Sequence, residues 1–485
     1  MDLSKLEPAN IWKNFAALNA VPRPSKKEEK VIAFIEAFGN KLGLPTTKDA
    51  VGNVIIKKPA TKGMENRKTV VLQSHLDMVH QKNADTKFDF NTEGIKMLVQ
   101  DDWVKADGTT LGADNGIGVA ASMSILESDS IPHPPLEALF TIDEETGMTG
   151  ALELKGGLLD ADILLNLDTE DDDELTIGCA GGVDVTATTK YTEIKTPSTV
   201  SFYKLSVKGL SGGHSGMEIH KGLGNANKIM NRLLLFADNK FNIYINSIDG
   251  GGLRNAIPRE SFAIIGVEKN DTVSLEKFIA EQTSILKIEY ASTDKGLQIE
   301  LEKADAPAKV MEDDFQKKIL RAIYACPNGI YRMSPDIPDL VQTSNNVARV
   351  EIKNGNASIQ CLCRSSVNSE KEDAAIAITS AFELADCTVS TGGSYPGWPP
   401  APHSEIVTIM SDLYTELFKG DAHVNACHAG LECGILGRNY PDMDMISFGP
   451  NIRGAHSPDE RVQISSVQKF WKYLLETLQR IPVKN

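Results

Sequence analysis

Short apolar segments that each lead into a polar or acidic group constrain the fold of this chain more than any other feature. Four of them are rich in branched residues and bounded by turns or charge: Val70–Leu72, Leu136–Ile142, Ile163–Leu167 and Met445–Phe448. Runs of this kind are typical of strands buried on both faces, and a helical pattern separates the first two. They predict an α/β fold with a central, mostly parallel sheet flanked by helices.

The middle of the chain has a different order of elements. From about Ser201 the pattern is strand, helix, two strands, helix and strand, and from about Phe315 it is helix, two strands, helix and strand. Two ferredoxin-like units in tandem, the last strand of one leading into the other, fit this order. We therefore predict a catalytic domain of residues 1–186 and 395–485, and an inserted α+β lid of residues 187–394.

The composition argues against several classes of partner and location. Fifty basic and 66 acidic residues give a net charge of −16, with no basic footprint for nucleic acid or anionic membrane. The start of the chain lacks a signal-peptide pattern, and no stretch approaches the ~20 apolar residues that span a bilayer. The seven cysteines are scattered without a C-x-x-C pair, as in reduced proteins. We expect a cytoplasmic protein with neither a nucleic-acid nor a membrane partner.

Histidine and carboxylate side chains lie where the predicted strands end. His75 and Asp77 follow one strand, two residues apart and so on the same side; Glu144 and Glu145 are predicted to end the next, and Asp168 the third. Solvated turn residues explain any one of these groups, but not their repetition where α/β enzymes bind ligands. Because strand neighbours point to opposite sides, one carboxylate of Glu144-Glu145 can bind a metal while the other faces a water.

Two further groups extend this candidate site. Asp114 lies in a glycine-flanked loop before a helix, and His456 follows the strand Met445–Phe448. Imidazole and carboxylate ligands without cysteine suit zinc, manganese or cobalt better than they suit a closed structural zinc site. Two such ions ~3.5–4 Å apart share a carboxylate, activate water and polarise a carbonyl. We expect two divalent metal ions, zinc first, with cobalt and manganese as alternatives.

Ten motifs are distributed in order from residue 74 to residue 460: SHLDMV, LGADNGIG, DEETGMTGA, NLDTE, GCAGG, KGLSGGHSG, RNAIPRE, CHAGLECG, DMDMISFGP and AHSPDE. This series resembles the aminoacyl-histidine (Xaa-His, or cytosol non-specific) dipeptidase branch of the co-catalytic dizinc peptidases, a group that also contains carnosinase and peptidase T. The resemblance covers essentially the whole chain, including the inserted lid. It implies metal-dependent hydrolysis of dipeptides, Xaa-His dipeptides above all, with tolerance of others.

The resemblance also implies a role for each residue of the metal site. Asp114 would bridge the two ions, His75 and Asp168 would complete one site, and Glu145 and His456 would complete the other. The peptide bond after the bridging aspartate would be cis.

Two neighbouring residues have implied roles that do not involve metal binding. Glu144 would be the general base, which later delivers its proton to the leaving amine. Asp77 would accept the N–H of His75, which fixes the tautomer of that imidazole.

Three lid residues are candidates for substrate binding. The resemblance assigns His214, in GGHSG, to the carbonyl oxygen or carboxylate of the substrate. Arg364 ends a predicted strand and could bind a C-terminal carboxylate in bidentate fashion, although an ordinary strand-end arginine is an equal alternative. Asn255, in RNAIP, is a weaker candidate of the same kind.

Two other functional classes remain open at this point. A dimetal centre does not distinguish a peptide from another amide, so a deacylase or amidohydrolase acting on N-acyl amino acids is the enzymatic alternative. A binding or scaffolding protein on a degenerate peptidase fold would be expected to lack a ligand or the base, and none is missing. The sequence leaves a homodimer open.

Overall fold

The computed structural model describes residues 3–484 and divides into two compact units. Unit 1 comprises three segments of the chain: Met1–Gly178, Trp398–Ala426 and Leu431–Asn485. Unit 2 comprises Cys179–Gly397 and Cys427–Gly430. Within the described residues, each helix is too short or too polar to span a lipid bilayer.

Unit 1 is built on an eight-stranded sheet whose spatial order is Thr46–Lys48, Val54–Lys58, Leu136–Thr141, Val70–His75, Ile163–Asn166, Asp444–Ser447, Glu174–Cys179 and His423–Cys427. The third to sixth strands in this order are parallel to one another, and the first two are antiparallel additions at one edge. Three of the parallel strands are buried along their whole length, as their branched sequences predict. Their carboxyl ends therefore meet along one edge of the sheet.

The α-helices of unit 1 are Ala9–Asn19, Glu29–Lys41, Ala113–Glu127, Glu144–Gly147, Thr149–Glu153, Glu405–Phe418, Glu432–Asn439 and Ile464–Arg480. A 3₁₀ turn, Leu3–Lys5, precedes the first of these helices. Helix Ala113–Glu127 is almost entirely buried, whereas the amphipathic helix Glu29–Lys41 presents Val31 and Ile35 to the core. The α/β class with a mostly parallel sheet, as predicted, is confirmed.

A second, smaller sheet in unit 1 joins distant parts of the sequence. Its four antiparallel strands are, in order, Ile452–Arg453, Arg461–Gln463, Trp103–Ala106 and Met97–Gln100. The loop between the first two strands carries His456, and the loop after Ala106 leads to Asp114. This sheet therefore places two predicted metal ligands close together, although they are more than 300 residues apart in sequence.

Unit 2 contains an antiparallel sheet with the order Gln298–Ala304, Val200–Lys208, Ser261–Glu268, Tyr244–Gly251, Val341–Lys353, Asn356–Ser365, Gly181–Lys190 and Thr388–Tyr395. Gly329–Met333 also pairs with Val341–Lys353, and two short ribbons pair Glu193–Lys195 with Lys309–Met311 and Gly213–His214 with Ala256–Ile257. Its α-helices are Ala226–Phe241, Thr272–Glu289, Asp313–Ala325 and Asn368–Glu383. Apolar residues spaced four apart on these helices, such as Ile229 and Leu233, pack with the sheet into one core.

The two ferredoxin-like units of the lid are nested, and the predicted tandem arrangement is wrong in this respect. The inner unit is continuous, from Val200 to Ala304. The outer unit takes its first strand from Gly181–Lys190, before the inner unit, and its remaining elements from residues after it. The chain enters and leaves the inner unit through the ribbon of Glu193–Lys195 and Lys309–Met311. The two units form one sheet because Tyr244–Gly251 pairs with Val341–Lys353.

Candidate metal centre

Two predicted ligands meet at the carboxyl edge of the parallel sheet in unit 1. His75 is the last residue of its strand, and Asp168 lies two residues beyond the neighbouring strand, which pairs Gln73 with Asn166. The Nε2 atom of His75 lies 3.4 Å from Oδ1 of Asp168. Parallel register thus brings an imidazole and a carboxylate side by side, because each lies two residues beyond the paired residues Gln73 and Asn166.

Asp114 faces two imidazoles with its two carboxylate oxygens. Its Oδ1 lies 3.0 Å from Nε2 of His75, and its Oδ2 lies 3.3 Å from Nε2 of His456. Asp114 and Asn115 have non-helical backbone angles at the start of helix Ala113–Glu127, and the peptide bond between them is cis, as the resemblance implied. A carboxylate with one oxygen toward each imidazole has the arrangement expected of a bridging ligand.

The second imidazole has a second carboxylate partner. Nε2 of His456 lies 3.0 Å from Oε2 of Glu145, whose side chain is only 3% exposed. The structure therefore contains two donor clusters, in each of which the ligand atoms lie within 4.8 Å of one another. One contains His75, Asp114 and Asp168, and the other contains Asp114, Glu145 and His456.

The donor set fits a pair of divalent cations. Three carboxylates and two imidazoles offer oxygen and nitrogen ligands with an excess of negative charge, which suits zinc, manganese or cobalt. Oδ1 of Asp168 is buried and, apart from Nε2 of His75 at 3.4 Å, has no hydrogen-bond partner within the described residues, so it can serve as a ligand atom. A third acidic cluster, of Glu28, Asp77 and Asp143, has no imidazole, and Lys26 already lies 3.0 Å from Asp143.

His75, Asp168 and His456 hold protons more tightly than these residue types usually do, since their pKa values are raised. Burial raises the pKa of Asp168 to about 7, against the opposing influence of His75. Burial disfavours the charged imidazole of His75, but Asp168 and Asp114 outweigh this effect and raise its pKa well above the usual value. Hydrogen bonds to Asp114 and Glu145 raise the pKa of His456 to about 11. Cations would displace these protons, so metal affinity should increase with pH.

Asp77 connects a metal ligand to the candidate base. Its Oδ1 lies 3.4 Å from Nδ1 of His75, the ring nitrogen that points away from Asp114. The same carboxylate accepts backbone N–H bonds from Glu144 at 3.0 Å and Glu145 at 3.3 Å. Burial opposes its charged form, but His75, Ser25 and the N–H of Glu144 outweigh burial and lower the pKa of Asp77. Asp77 therefore orients both an imidazole and the turn that carries Glu144.

Glu144 occupies a helical turn, and the prediction that it ends a strand is wrong. The strand Leu136–Thr141 stops earlier, and Asp143 turns the chain with a left-handed φ of 53° into the short helix Glu144–Gly147. The two adjacent carboxylates thus diverge because of a turn, not because of strand alternation. Burial raises the pKa of Glu144 well above the usual value; His75 opposes this shift, and the neighbouring Asp168 adds to it.

Unit 2 brings two predicted substrate-binding residues, His214 and Arg364, around one glycine. A Cβ atom built on Gly216 would lie 3.1 Å from Cε1 of His214, 3.2 Å from Nε of Arg364 and 2.2 Å from the carbonyl oxygen of His428. Only glycine therefore permits this close approach. Asn255 is exposed, and its carbonyl accepts the N–H of Ser215 at 2.8 Å.

Three buried groups of unit 1 were not identified from the sequence. Glu432 accepts hydrogen bonds from Gln73 at 2.6 Å and Thr141 at 2.7 Å, whereas its Oε1 has no partner within the described residues. Glu460 accepts backbone N–H bonds from the loop before Asp114, and Arg23 binds carbonyls of the same region. Both glutamates lie in motifs of the resemblance. Nothing in the sequence indicated that their side chains are buried, and burial is what distinguishes them from ordinary surface carboxylates.

The fold and the paired donor clusters define a hydrolase of the dinuclear metal class. The chain belongs to peptidase family M20/M25/M40, since the model of that family matches residues 71–480. The family resemblance inferred from the ten motifs is confirmed.

Several relatives extend this assignment over the full chain. The sequence is 43% identical over 483 residues to the cytosol non-specific dipeptidase of Escherichia coli (strain K12), with 100% of both chains covered. The crystal structure of aminoacylhistidine dipeptidase from Vibrio alginolyticus matches with a TM-score of 0.96 and 42% identity, covering 100% of this chain and 99% of that one. Aminopeptidase PepT from Bacillus cereus shares the fold alone, at 15% identity and a TM-score of 0.58, covering 98% of this chain and 99% of that one.

Proposed function

We propose that this protein is a cytoplasmic metallo-dipeptidase that hydrolyses unblocked dipeptides. The observation that carries the proposal is the pair of donor clusters sharing Asp114, with Glu144 held beside them by Asp77. Two relatives that cover the full chain bear dipeptidase names, which supports this substrate class. Their names also support a preference for C-terminal histidine with broader tolerance. The net charge of −16 favours neither nucleic acid nor membrane as a partner.

The metal ions would be held by the residues of the two clusters. We propose zinc, with cobalt or manganese as alternatives, since all three accept imidazole and carboxylate ligands. When bound, such a pair lowers the pKa of water and polarises the scissile carbonyl. The positive charge would also favour the ionised form of Glu144, in opposition to burial, which raises the pKa of this carboxyl.

Glu144 acts as the general base in this proposal. It accepts the proton of the attacking water and returns it to the leaving amine. Its backbone N–H is fixed by Asp77, and burial raises the pKa of its carboxyl, which favours uptake of the proton from water. Neighbouring Glu145, in contrast, faces the imidazole of His456 and is used as a ligand.

His214 acts as a hydrogen-bond donor to the substrate. Its Nδ1 accepts backbone N–H bonds from Gly216 at 3.2 Å and Met217 at 3.0 Å, so in the neutral ring the proton lies on Nε2. Burial and the nearby Arg364 lower the pKa of His214, which favours this neutral form. The tautomer supports donation from Nε2 to the oxygen of the scissile carbonyl as negative charge develops there.

Replacing His214 with alanine is expected to lower kcat about 10²–10³-fold, the usual effect of removing one such donor. Metal content should be unchanged, because His214 belongs to neither donor cluster. The matched control is His220→Ala, which removes an exposed histidine six residues further along the chain. Equal kcat values in the two variants would remove His214 from the mechanism.

Arg364 is proposed to bind the C-terminal carboxylate of the dipeptide. The residue is only 5% exposed, donates one hydrogen bond to the hydroxyl of Tyr395 at 3.0 Å, and leaves its buried Nε without a partner among residues 3–484. A buried guanidinium with an unused donor is more consistent with an anionic ligand than with an ordinary strand-end arginine. Asn255 is proposed as an additional, weaker contact.

Amidation of the C-terminus is expected to reduce kcat/KM about 10–100-fold, because charge-assisted hydrogen bonds contribute about 1.5–3 kcal/mol. The measurement compares Ala-His with Ala-His amide in wild type and in Arg364→Ala. If Arg364 binds the carboxylate, the variant loses activity on the acid but shows almost no further loss on the amide. An undiminished penalty in the variant would assign the carboxylate to another group.

One comparison tests the proposed reaction as a whole. Rates are measured on Ala-His and on N-acetyl-histidine, using a single sample whose metal content is determined. A dipeptidase prefers the free amino terminus, whereas faster cleavage of N-acetyl-histidine would indicate a deacylase. Hydrolysis of neither compound by the metal-loaded protein would overturn the proposal.

A further inference from the structure

A single buried carboxylate collects four consecutive backbone N–H groups beside the candidate metal centre. One oxygen of Glu460 accepts from Leu111 at 2.6 Å and from Gly112 at 2.9 Å. The other oxygen accepts from Ala113 at 2.7 Å and from Asp114 at 3.3 Å. Glu460 is 2% exposed, so water does not compete for these bonds. We refer to this arrangement as the Glu460 cradle.

The backbone of the loop is shaped for this cradle. Gly112 has a left-handed φ of 70°, which allows successive N–H groups to converge on one acceptor. A Cβ atom at this position would lie 2.5 Å from Nη2 of Arg23 and 2.9 Å from the sulfur of Met78. A side chain larger than glycine is therefore excluded by space as well as by conformation.

The carbonyl side of the same loop is held by Arg23. Its Nη2 donates to the carbonyl of Gly112 at 2.5 Å, and its Nη1 donates to the carbonyls of Leu76 at 3.0 Å and Asp77 at 3.1 Å. Arg23 thus ties the loop before Asp114 to the segment that follows His75. The N–H groups and a carbonyl of the loop are fixed by opposite charges.

We propose that Glu460 is a positioning residue for the metal centre, which acts by fixing Asp114 without touching the substrate. It lies four residues after His456, in the same loop between Ile452–Arg453 and Arg461–Gln463. One loop therefore supplies a ligand of one cluster and the clamp on the ligand that both clusters share. This inference rests on the proposed use of Asp114 as a bridging metal ligand.

A glutamine cannot replace the carboxylate in the cradle. The carboxamide offers one acceptor oxygen, and its NH₂ group would face the N–H donors that the second oxygen now serves. Two buried N–H groups would lose their acceptor, and the loop would shift to find water or another partner. Because Asp114 belongs to both clusters, we expect the affinity of both metal sites to decrease. Replacement of a residue that positions a ligand of only one site would weaken that site alone.

The test compares Glu460→Gln with Glu137→Gln. Glu137 is also 2% exposed and accepts a backbone N–H, that of Asp160 at 3.1 Å, but it belongs to neither cluster. Chelator competition with zinc measures metal affinity, and residue-resolved hydrogen exchange on metal-free protein measures the cradle directly. Glu460→Gln should lower zinc affinity about 10–100-fold at both sites and accelerate exchange of the N–H groups of residues 111–114. Glu137→Gln should change neither quantity.

Excess zinc should restore part of the kcat of Glu460→Gln, since the variant retains every ligand and the base. Glu460→Asp, which keeps the charge but shortens the side chain, should lie between wild type and Glu460→Gln in zinc affinity and exchange.

Wild-type affinity and exchange in a folded Glu460→Gln protein would overturn the inference. So would unprotected N–H groups at residues 111–114 in folded, metal-free wild type, whatever the variants do. Failure of wild type to bind two ions would instead overturn the proposed function, while the exchange experiment would still report on the cradle.

Discussion

Replacing Glu144 with glutamine is expected to reduce kcat about 10²–10⁴-fold while both metal ions remain bound. Glutamine has nearly the same shape as glutamate but does not accept a proton at neutral pH. The backbone N–H of Glu144 would still be held by Asp77, and neither donor cluster includes the side chain of Glu144. Turnover of Ala-His and metal content are measured on the same preparation.

The control for this variant is Glu153→Gln, which removes a carboxylate from a side chain that is 55% exposed. This change should leave both kcat and metal content at the wild-type level. A Glu144→Gln enzyme with wild-type kcat would show that another group accepts the proton. Buried Glu432, whose side chain lies against Gln73 and Thr141, would then be the next residue to test.

Removal of the metal ions is expected to abolish hydrolysis, and two equivalents of zinc per chain should restore it. A water molecule that is not bound to a metal is too weakly acidic to attack an amide at a useful rate near neutral pH. Substitution of single ligands should distinguish residues that bind one metal ion from the residue that binds both. Asp168→Asn should weaken one of them, because Asp168 belongs to one cluster, whereas Asp114→Asn should weaken both.

Metal content by elemental analysis and rates on one purified sample decide the outcome. Full activity in metal-free protein would contradict the mechanism. Retention of two tightly bound ions by Asp114→Asn would contradict the bridging role of Asp114. Asp168→Asn is expected to retain one tightly bound ion. This variant is the control for Asp114→Asn, which is expected to bind both ions weakly.

The strand-end pattern was enough to predict the location of the candidate metal centre. His75 and Asp168 each follow an apolar run, and parallel register brings such residues together at one edge of the sheet. The local structure at Glu144 was not predictable in the same way. The left-handed backbone of Asp143 ends the strand pattern, and no residue type in that segment enforces such a turn.

Buried polar groups were the part of the structure that sequence patterns missed. The segment Gln342–Asn346 is polar throughout, yet it forms the fully buried start of the strand Val341–Lys353. Its side chains satisfy distant groups: Asn346 donates to the carbonyls of Arg254 and Ala256, and Ser344 lies 2.7 Å from Nε2 of His428. Glu460 escaped notice for the same reason, since its partners are nearly 350 residues away.

Nesting of the lid units sets an order for folding as the chain is synthesised. Strand Gly181–Lys190 pairs along its length with Asn356–Ser365, so it is made roughly 175 residues before its partner strand is complete. At synthesis rates of about 5–20 residues per second, it waits on the order of 10 s or more without that partner. The inner unit is continuous in sequence, so it can complete its own pairing during this interval. The strand made first is thus among the last to be paired. Until then its edges expose unpaired N–H and C=O groups, which can pair wrongly with another chain.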